Sequence, residues 1–350
     1  MIARPVGWLR ANLFSSWLNT LLTLLILWAL AGVVPPLLRW ALTHAVFSAA
    51  DSAVCRAADG ACWAFITEKY RLILFGTYPY HQQWRPLLAV AVLIALFVVS
   101  CDRRTWKRWL LPLWLGGGIL VGVLMWGGVL GLDYVENRLW GGLPLTLILS
   151  VVGLVVAFPV AVLLALGRRS ELPVVRAVSV AYIELIRGVP LVSLLFMAAV
   201  MLPMVLPAGM TIDKLLRAQI AFILFAAAYL AEVVRGGLQA IPRGQYEAAD
   251  ALGLGYWQKM ATVILPQALA VAIPPIVNTV IAFFKDTSLV IIIGLLDLLS
   301  TAKSAISDPG WHGFYRESYL FIAVIYWGFC FSLSRYSQWL ERDLKHGHRS

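Results

Sequence analysis

Two pairs of opposite charges lie within long apolar stretches of the sequence. Glu184 and Arg187 form one pair, Glu232 and Arg235 form the other, and each pair is spaced i,i+3. On a helix this spacing places the carboxylate and the guanidinium on one face. Mutual neutralisation near a helix end, with the arginine reaching outward to water, would explain both pairs. Alternatively, one member of a pair lines a path for a small zwitterion, whose ammonium needs a carboxylate and whose carboxylate needs donors.

The loop between the sixth and seventh apolar stretches holds a second pattern. It predicts a short helix that begins near Pro242 and continues through Glu247–Leu252, because proline suits a first turn and most of the following residues are good helix formers. A glycine then provides the left-handed backbone that ends a helix, and a second helix is predicted from Tyr256. The small side chains of this loop would let another protein approach closely. An ordinary amphipathic helix on the membrane surface is an equal alternative.

The sequence lacks the motifs of several common kinds of binding site. No Gly-x4-Gly-Lys-Ser/Thr run is present, so the usual loop for ATP phosphates is absent and any ATPase would be another subunit. The histidines lack the spacing of metal ligands, and we expect neither a metal nor another cofactor. The five histidines are His44, His81, His312, His346 and His348.

The four cysteines fall into two groups. Cys101 and Cys330 lie at or within apolar stretches, where a thiol usually acts as a small hydrophobic group. Cys55 and Cys62 lie in the polar segment 40–85. A disulfide between them and two free thiols are equally good interpretations if this segment faces an oxidising compartment.

The composition indicates that most of this chain lies in a lipid bilayer. Of its 350 residues 61% are hydrophobic and 13% are charged, with a mean hydropathy of +0.82. Long runs with few charges are typical of membrane spans. The sequence predicts an all-α integral membrane protein with about eight transmembrane helices. The predicted spans are 16–39, 86–101, 109–131, 143–166, 176–206, 218–240, 264–285 and 316–338.

Proline is expected to kink or interrupt two of these spans, because it removes a backbone hydrogen bond. The two sites are Val189-Pro190 in the fifth span and Pro274-Pro275 in the seventh. Such breaks can expose carbonyl groups to a cavity, but they can equally be fixed packing kinks.

Positive charge is concentrated in loops on one side of the predicted bundle. The formal net charge is +10. By the positive-inside rule the basic loops and both termini face the cytoplasm, which an even number of spans allows. These basic loops account for the net positive charge, so we do not expect the chain to bind nucleic acid. The basic residues are Arg103, Arg104, Lys107 and Arg108, then Arg168, Arg169 and Arg176, and finally Arg342, Lys345 and Arg349.

The loop after the sixth span resembles the EAA loop of ABC importer permeases. The matching residues are Glu247-Ala248-Ala249, Gly253 after three more residues, and Val263-Ile264-Leu265-Pro266 after a further nine. The family has isoleucine where this chain has Val263, which is a conservative departure. In that family the loop is a coupling helix that docks in a groove of the ATPase subunit. The resemblance implies that nucleotide-driven movement reaches the spans through Glu247, Ala248, Ala249, Gly253, Leu265 and Pro266.

Further segments resemble permeases for polar amino acids, the histidine, glutamine, arginine and opine group. These segments are 184–191, 231–242, 265–268 and 284–290. The resemblance covers about 140–340 and implies the five-helix core of a type I ABC importer permease. The additional N-terminal spans resemble the longer permeases of broad-specificity L-amino acid systems. A general L-amino acid permease is therefore expected.

The resemblance also predicts how the chain is organised. Residues 1–139 would be an N-terminal extension with three spans and a periplasmic loop at about 40–85. Residues 140–340 would form the permease core with its coupling loop at about 241–263, and residues 341–350 a cytoplasmic tail.

Function and partners follow from the same resemblance. It implies the transmembrane permease subunit of an ATP-driven importer for L-amino acids in the bacterial inner membrane. The expected partners are a dimer of ABC ATPase subunits, a periplasmic amino-acid-binding protein, and either a related permease or a second copy of this chain. An ion-coupled secondary transporter, a membrane scaffold and an ABC permease for another small polar solute are alternatives. A secondary transporter predicts ionisable clusters in mid-span and an inverted repeat, and neither is evident in the sequence.

Overall fold

The computed structural model describes residues 5–101, 109–207 and 209–347, and helices dominate this part of the chain. The predicted basic loop at residues 102–108 lies outside the described residues, as do His348 and Arg349. The α-helices are α1 (Pro5–Asn12), α2 (Trp17–Leu38), α3 (Ser52–Ala57), α4 (Trp63–Phe75), α5 (Trp84–Ser100), α6 (Leu110–Trp126), α7 (Gly142–Leu147), α8 (Gly153–Arg168), α9 (Pro173–Gly188), α10 (Leu191–Phe196), α11 (Leu202–Val205), α12 (Lys214–Gln239), α13 (Arg243–Ala251), α14 (Tyr256–Lys259), α15 (Leu265–Asp286), α16 (Leu298–Ile306) and α17 (Tyr315–Gly347).

Short irregular turns connect several of these helices. Single π-helical turns extend α2 and join α7 to α8, α10 to α11 and α14 to α15; they are Arg39–Thr43, Ile148–Val152, Met197–Met201 and Met260–Ile264. The 3₁₀ turns are Tyr80–Gln82, Asn137–Leu139, Thr287–Ile293 and Pro309–Trp311. The short strand β1 (Leu296–Asp297) bridges Gly141 and Gly142.

Six helical segments in the described part of the chain are long and apolar enough to cross a membrane. They are Trp17–Thr43, Tyr80–Ser100, Gly142–Arg168, Lys214–Gln239, Tyr256–Ile293 and Tyr315–Asp343. A seventh candidate is the bent pair Pro173–Gly188 and Leu191–Val205. The eighth predicted span corresponds to α6, an apolar helix of 17 residues that lies just below this length in the described part of the chain.

The helix that falls short is α6, and its early end has a physical cause. Gly127 has a φ of 70°, a backbone conformation that strongly favours glycine. The buried guanidinium of Arg85 donates through Nε to the Leu124 carbonyl and through Nη1 to the Asp133 carbonyl. A cation that caps the last carbonyl groups stabilises a helix C-terminus. The third predicted span thus ends at Trp126 rather than at residue 131.

The two proline sites differ in their effect. Val189 has the extended backbone that a following proline favours, and the helices on either side of Val189-Pro190 meet at 100°. This site interrupts the fifth predicted span. Pro274 and Pro275 instead lie inside the continuous helix α15, so the helix is not interrupted there. Membrane helices tolerate internal proline when neighbouring groups satisfy the freed backbone carbonyl.

The chain forms two compact units. The smaller comprises residues 1–70 and 306–320, and the larger comprises residues 71–305 and 321–350. The extension predicted over residues 1–139 therefore contributes to both units, and its definition as a separate domain stays a prediction.

Covalent and polar contacts hold the smaller unit together. Cys55 and Cys62 are joined by a disulfide, and the Cys62 amide donates to the carboxylate of Glu317. Lys69 and Asp308 form an ion pair at 2.6 Å. The hydrogen bond from Lys69 lowers the pKa of the Asp308 carboxyl. A lowered pKa means that this contact stabilises the unit at neutral pH and is lost only as the pH falls through that lowered value.

Helix α12 lies at the centre of the larger unit. Asp213 caps its N-terminus by accepting the Leu215 amide at 2.8 Å, and buried residues lie on several sides of the helix. Near its C-terminus α12 touches α15 backbone to backbone, because a Cβ on Gly237 would overlap the Ala268 carbonyl. Ala268 and Ala272 are buried on the facing helix. Small residues of this kind let membrane helices approach closely.

This contact predicts different outcomes for two adjacent glycines. Gly237→Val should destabilise the permease by about 1–3 kcal/mol, because overpacking forces α12 and α15 apart. Gly236→Val is the matched control, since a Cβ on Gly236 meets no heavy atom within 4 Å. Thermal unfolding of the purified permease in detergent measures both. Equal unfolding midpoints for the two variants would show that the close contact is unimportant.

Candidate coupling helix and charge network

The predicted helix, tight turn and second helix after the sixth predicted span are present. α13 ends in a Schellman motif, in which the Gly253 amide donates to the Asp250 carbonyl at 2.9 Å and the Leu254 amide to the Ala249 carbonyl at 3.2 Å. Gly253 has a φ of +72°, and a Cβ on it would meet no other group. Glycine is thus favoured for its backbone conformation and not for space.

The side chains of α13 and the following turn divide into an exposed and a buried set. Glu247 and Ala248 are exposed, whereas Ala249 is only 2% exposed. The small size of Ala249 therefore serves packing within this chain, although the sequence suggested that it would face a partner. Leu252 and Trp257 are 78% and 67% exposed, which adds apolar area beside the helix that sequence reasoning did not single out. Exposed apolar residues grouped in this way are typical of interaction surfaces.

One arginine fastens α13 to the rest of the larger unit. Arg169 donates through Nη1 to the Leu238 carbonyl at 2.9 Å and to the Tyr246 hydroxyl at 3.1 Å. Its guanidinium also lies over the Tyr246 ring, with 5.6 Å from Cζ to the ring centroid. The sequence marked Arg169 only as part of a basic loop. No spacing rule links it to Tyr246, because the two residues are far apart in the chain.

The other end of the coupling loop is held by the helix that follows. Lys259 and Asp250 form an ion pair at 2.5 Å, which ties the end of α13 to α14. Leu265 and Pro266, the last of the predicted coupling residues, begin α15, where proline suits the first turn. The loop is therefore connected at one end to α12 and at the other to α15.

A cluster of charges joins α8, α9 and α12 above this loop. The carboxylate of Glu232 contacts Arg235 at 2.8 Å, Arg168 at 3.1 Å and Arg187 at 3.5 Å. Its side chain is only 14% exposed. A carboxylate this far removed from water is costly unless nearby cations balance its charge, as these three arginines do. We call these four residues, together with Glu184, the charge network.

The network differs from the pairing that the sequence suggested. Arg235 and Glu232 do pair along one helix, but Glu184 contacts Arg168 at 2.7 Å, and Arg187 contacts Glu232 rather than its own neighbour. The network contains three guanidinium groups and two carboxylates. Arg187 is held at the longest of these distances, and its side chain is 36% exposed.

Comparisons with known proteins agree with this architecture. The family described as "Binding-protein-dependent transport system inner membrane component" matches residues 157–346. YhdY of Escherichia coli K12, described as an "Inner membrane amino-acid ABC transporter permease protein", is 52% identical over 99% of this chain and 94% of its own length. BztC of Rhodobacter capsulatus, a "Glutamate/glutamine/aspartate/asparagine transport system permease protein", is 40% identical over 98% of this chain and 94% of its own.

A solved structure gives the same result for the permease core. It is described as "Crystal structure of an amino acid ABC transporter with histidines", is 32% identical to this chain, and superposes with a TM-score of 0.50 over 57% of this chain and 90% of its own. The chain therefore belongs to the family of binding-protein-dependent transport system inner membrane components.

Proposed function

We propose that this chain is the permease subunit of an ATP-driven importer of L-amino acids in the bacterial inner membrane. The observation that carries the proposal is α13, an exposed helix with the EAA pattern that is fastened to the spans at both ends. Its partners are a dimer of ATPase subunits, a periplasmic amino-acid-binding protein, and a second permease that is either related or identical. Similarity to YhdY and BztC along nearly the whole chain supports a broad amino acid specificity.

The contacts within the larger unit support one orientation in the membrane. The Arg169–Tyr246 contact puts the basic loop after α8 and the coupling loop on the same side, as the positive-inside rule requires for a cytoplasmic face. At the other ends of their helices, Gly141 bridges Leu296, which joins two segments expected in the periplasm. We propose that both termini are cytoplasmic, as an even number of spans requires, and that the disulfide-bonded segment lies in the oxidising periplasm.

Reconstitution with a matched pair of variants tests docking on α13. Uptake into proteoliposomes should need both ATP and a binding protein. Ala248→Arg should reduce ATPase-subunit association about tenfold or more, because a long charged side chain separates the two surfaces. Ala248 is exposed, so the fold of the permease itself should be unaffected.

Ala53→Arg is the control, since Ala53 is an exposed alanine on a short helix of the predicted periplasmic segment. Association equal to wild type in Ala248→Arg would contradict docking on α13. Uptake driven by an ion gradient without ATP would contradict the importer itself and favour a secondary transporter.

Arg169 is a positioning residue in this proposal, because it holds α13 against the end of α12. Arg169→Lys keeps the charge but loses the planar guanidinium, whose Nη1 donates to two acceptors and which lies over the Tyr246 ring. We expect ATPase subunits to bind this variant while the amount of solute transported per ATP hydrolysed falls several-fold. Arg176→Lys is the control, an exposed arginine of the next helix. Equal transport per ATP in both variants would show that the Arg169 contact does not position the coupling helix.

The charge network is proposed to border the translocation path. Glu184, Arg187, Glu232 and Arg235 were the residues expected there, and the structure supports the idea by bringing all four together with Arg168. The network offers carboxylates for an ammonium and guanidinium donors for a carboxylate, which are the two needs of an amino acid. The partly exposed Arg187 has the longest contact with Glu232, so it is the donor best placed to bind the carboxylate of an amino acid instead.

Glu232→Gln tests the role of the network. The substitution removes the charge that balances three arginines, so uptake should fall about tenfold while association with the ATPase subunit is unchanged. The control is Glu171→Gln, which neutralises an exposed carboxylate between α8 and α9. Initial rates of uptake and co-purification of the ATPase measure the two effects. Uptake by Glu232→Gln at the wild-type rate would contradict the proposal that the network borders the translocation path.

A further inference from the structure

An apolar groove lies between four membrane helices of the larger unit. It has a volume of about 450 Å³, and its walls come from α5, the α7–α8 segment, α15 and α17. Leu93 and Leu333 are buried in its floor, whereas Val98 and Val324 are 60% and 61% exposed at its rim. The volume is in the range of small-molecule pockets, which runs from about 300 to 1,000 Å³.

The lining of this groove offers a ligand no hydrogen-bond donor. Its two hydroxyl groups belong to Ser150 and Ser332, and each donates to a carbonyl of its own helical segment. The acceptors are the Thr146 and Gly328 carbonyl groups, both at 2.7 Å. The other side chains of the lining are aliphatic or phenyl groups. A ligand that fits this groove is therefore a hydrocarbon.

We propose that the groove holds one acyl chain of a membrane phospholipid. Every lining residue belongs to a helix long enough to cross the membrane, and lipid tails are the solvent at that depth. An empty groove would leave its lining without dispersion contacts on one side. A lipid tail restores these contacts without desolvating any polar group, whereas a charged or polar ligand would find no partner.

The position of the groove gives the acyl chain a structural role. α5 lies in the predicted N-terminal extension, while α15 and α17 lie in the predicted permease core. α5 packs directly against α7. It also meets α17, where the Phe97 and Tyr336 rings pack 6.4 Å apart and the Tyr336 hydroxyl donates to the Cys101 carbonyl. Along the rest of the groove α5 faces α15 and α17 across the cavity. The acyl chain therefore acts as packing material between extension and core.

A glycine in the wall allows a direct test. Gly328 lines the groove, and a Cβ on it meets no heavy atom within 4 Å, so Gly328→Leu adds a side chain at the groove wall from an open Cβ position. Gly118→Leu is the matched control, because Gly118 is an exposed glycine of α6 and also has no heavy atom within 4 Å of its Cβ position. Val324→Phe narrows the rim and serves as an independent second variant.

The probe is phosphatidylcholine with a diazirine on one acyl chain, in nanodiscs that contain the assembled transporter. Labelled peptides are mapped by mass spectrometry. We expect labelling of 93–98 and 324–333 in the wild type and in Gly118→Leu, and a loss of about tenfold in Gly328→Leu and Val324→Phe.

Two results would overturn the proposal. One is labelling of these segments that is unchanged in both groove variants. The other is a crosslink from Val324→benzoylphenylalanine to a second permease subunit rather than to lipid, because a protein helix would then occupy the groove.

Discussion

The backbone contact between α12 and α15 at Gly237 is the constraint on which the rest of the arrangement depends. α13 leaves the end of α12 and returns through α14 to the start of α15, so it connects two helices that already touch. Arg169 fixes the start of the coupling loop to the end of α12, and the Lys259–Asp250 ion pair fixes α13 to α14, which leads into α15. In the proposed function, a displacement of α13 is transmitted to both spans together, because packed helices move as rigid bodies rather than bending continuously.

The same helix α12 carries Glu232, which connects the coupling loop to the charge network. Its carboxylate is surrounded by guanidinium groups from three helices, and this offsets the cost of removing it from water. A movement of α12 changes these distances directly, because Arg168 and Arg187 belong to other helices. The network can thus respond to α13 without any long chain of intermediate contacts.

Local rules predicted the helix ends well and the charge partners poorly. Pro190 breaks a span and Gly253 ends α13, because both effects depend on the backbone of one or two residues. Arg85 of α5 donates to the Leu124 carbonyl near the end of α6, and Arg168 of α8 pairs with Glu184 of α9. Spacing along one helix carries no information about a neighbouring helix. The helix and turn that carry the EAA pattern could be predicted from the sequence, but the contacts that hold them could not.

The composition of the charge network bears on the proposal that it borders the translocation path. A cluster that served only to fasten three helices would be most stable with balanced charges, since an uncompensated buried charge is costly. This cluster has one guanidinium more than it has carboxylates, and the one held least closely, Arg187, is also the most exposed of the three. The carboxylate of a passing amino acid would supply the missing negative charge, while the exposed Glu184 carboxylate could receive its ammonium. Arg187 also lies over the Tyr229 ring, with 5.6 Å from Cζ to the ring centroid, so its guanidinium is held in place while its edge stays accessible. A partly exposed guanidinium held in this way is the group that the proposed translocation path needs to receive a carboxylate.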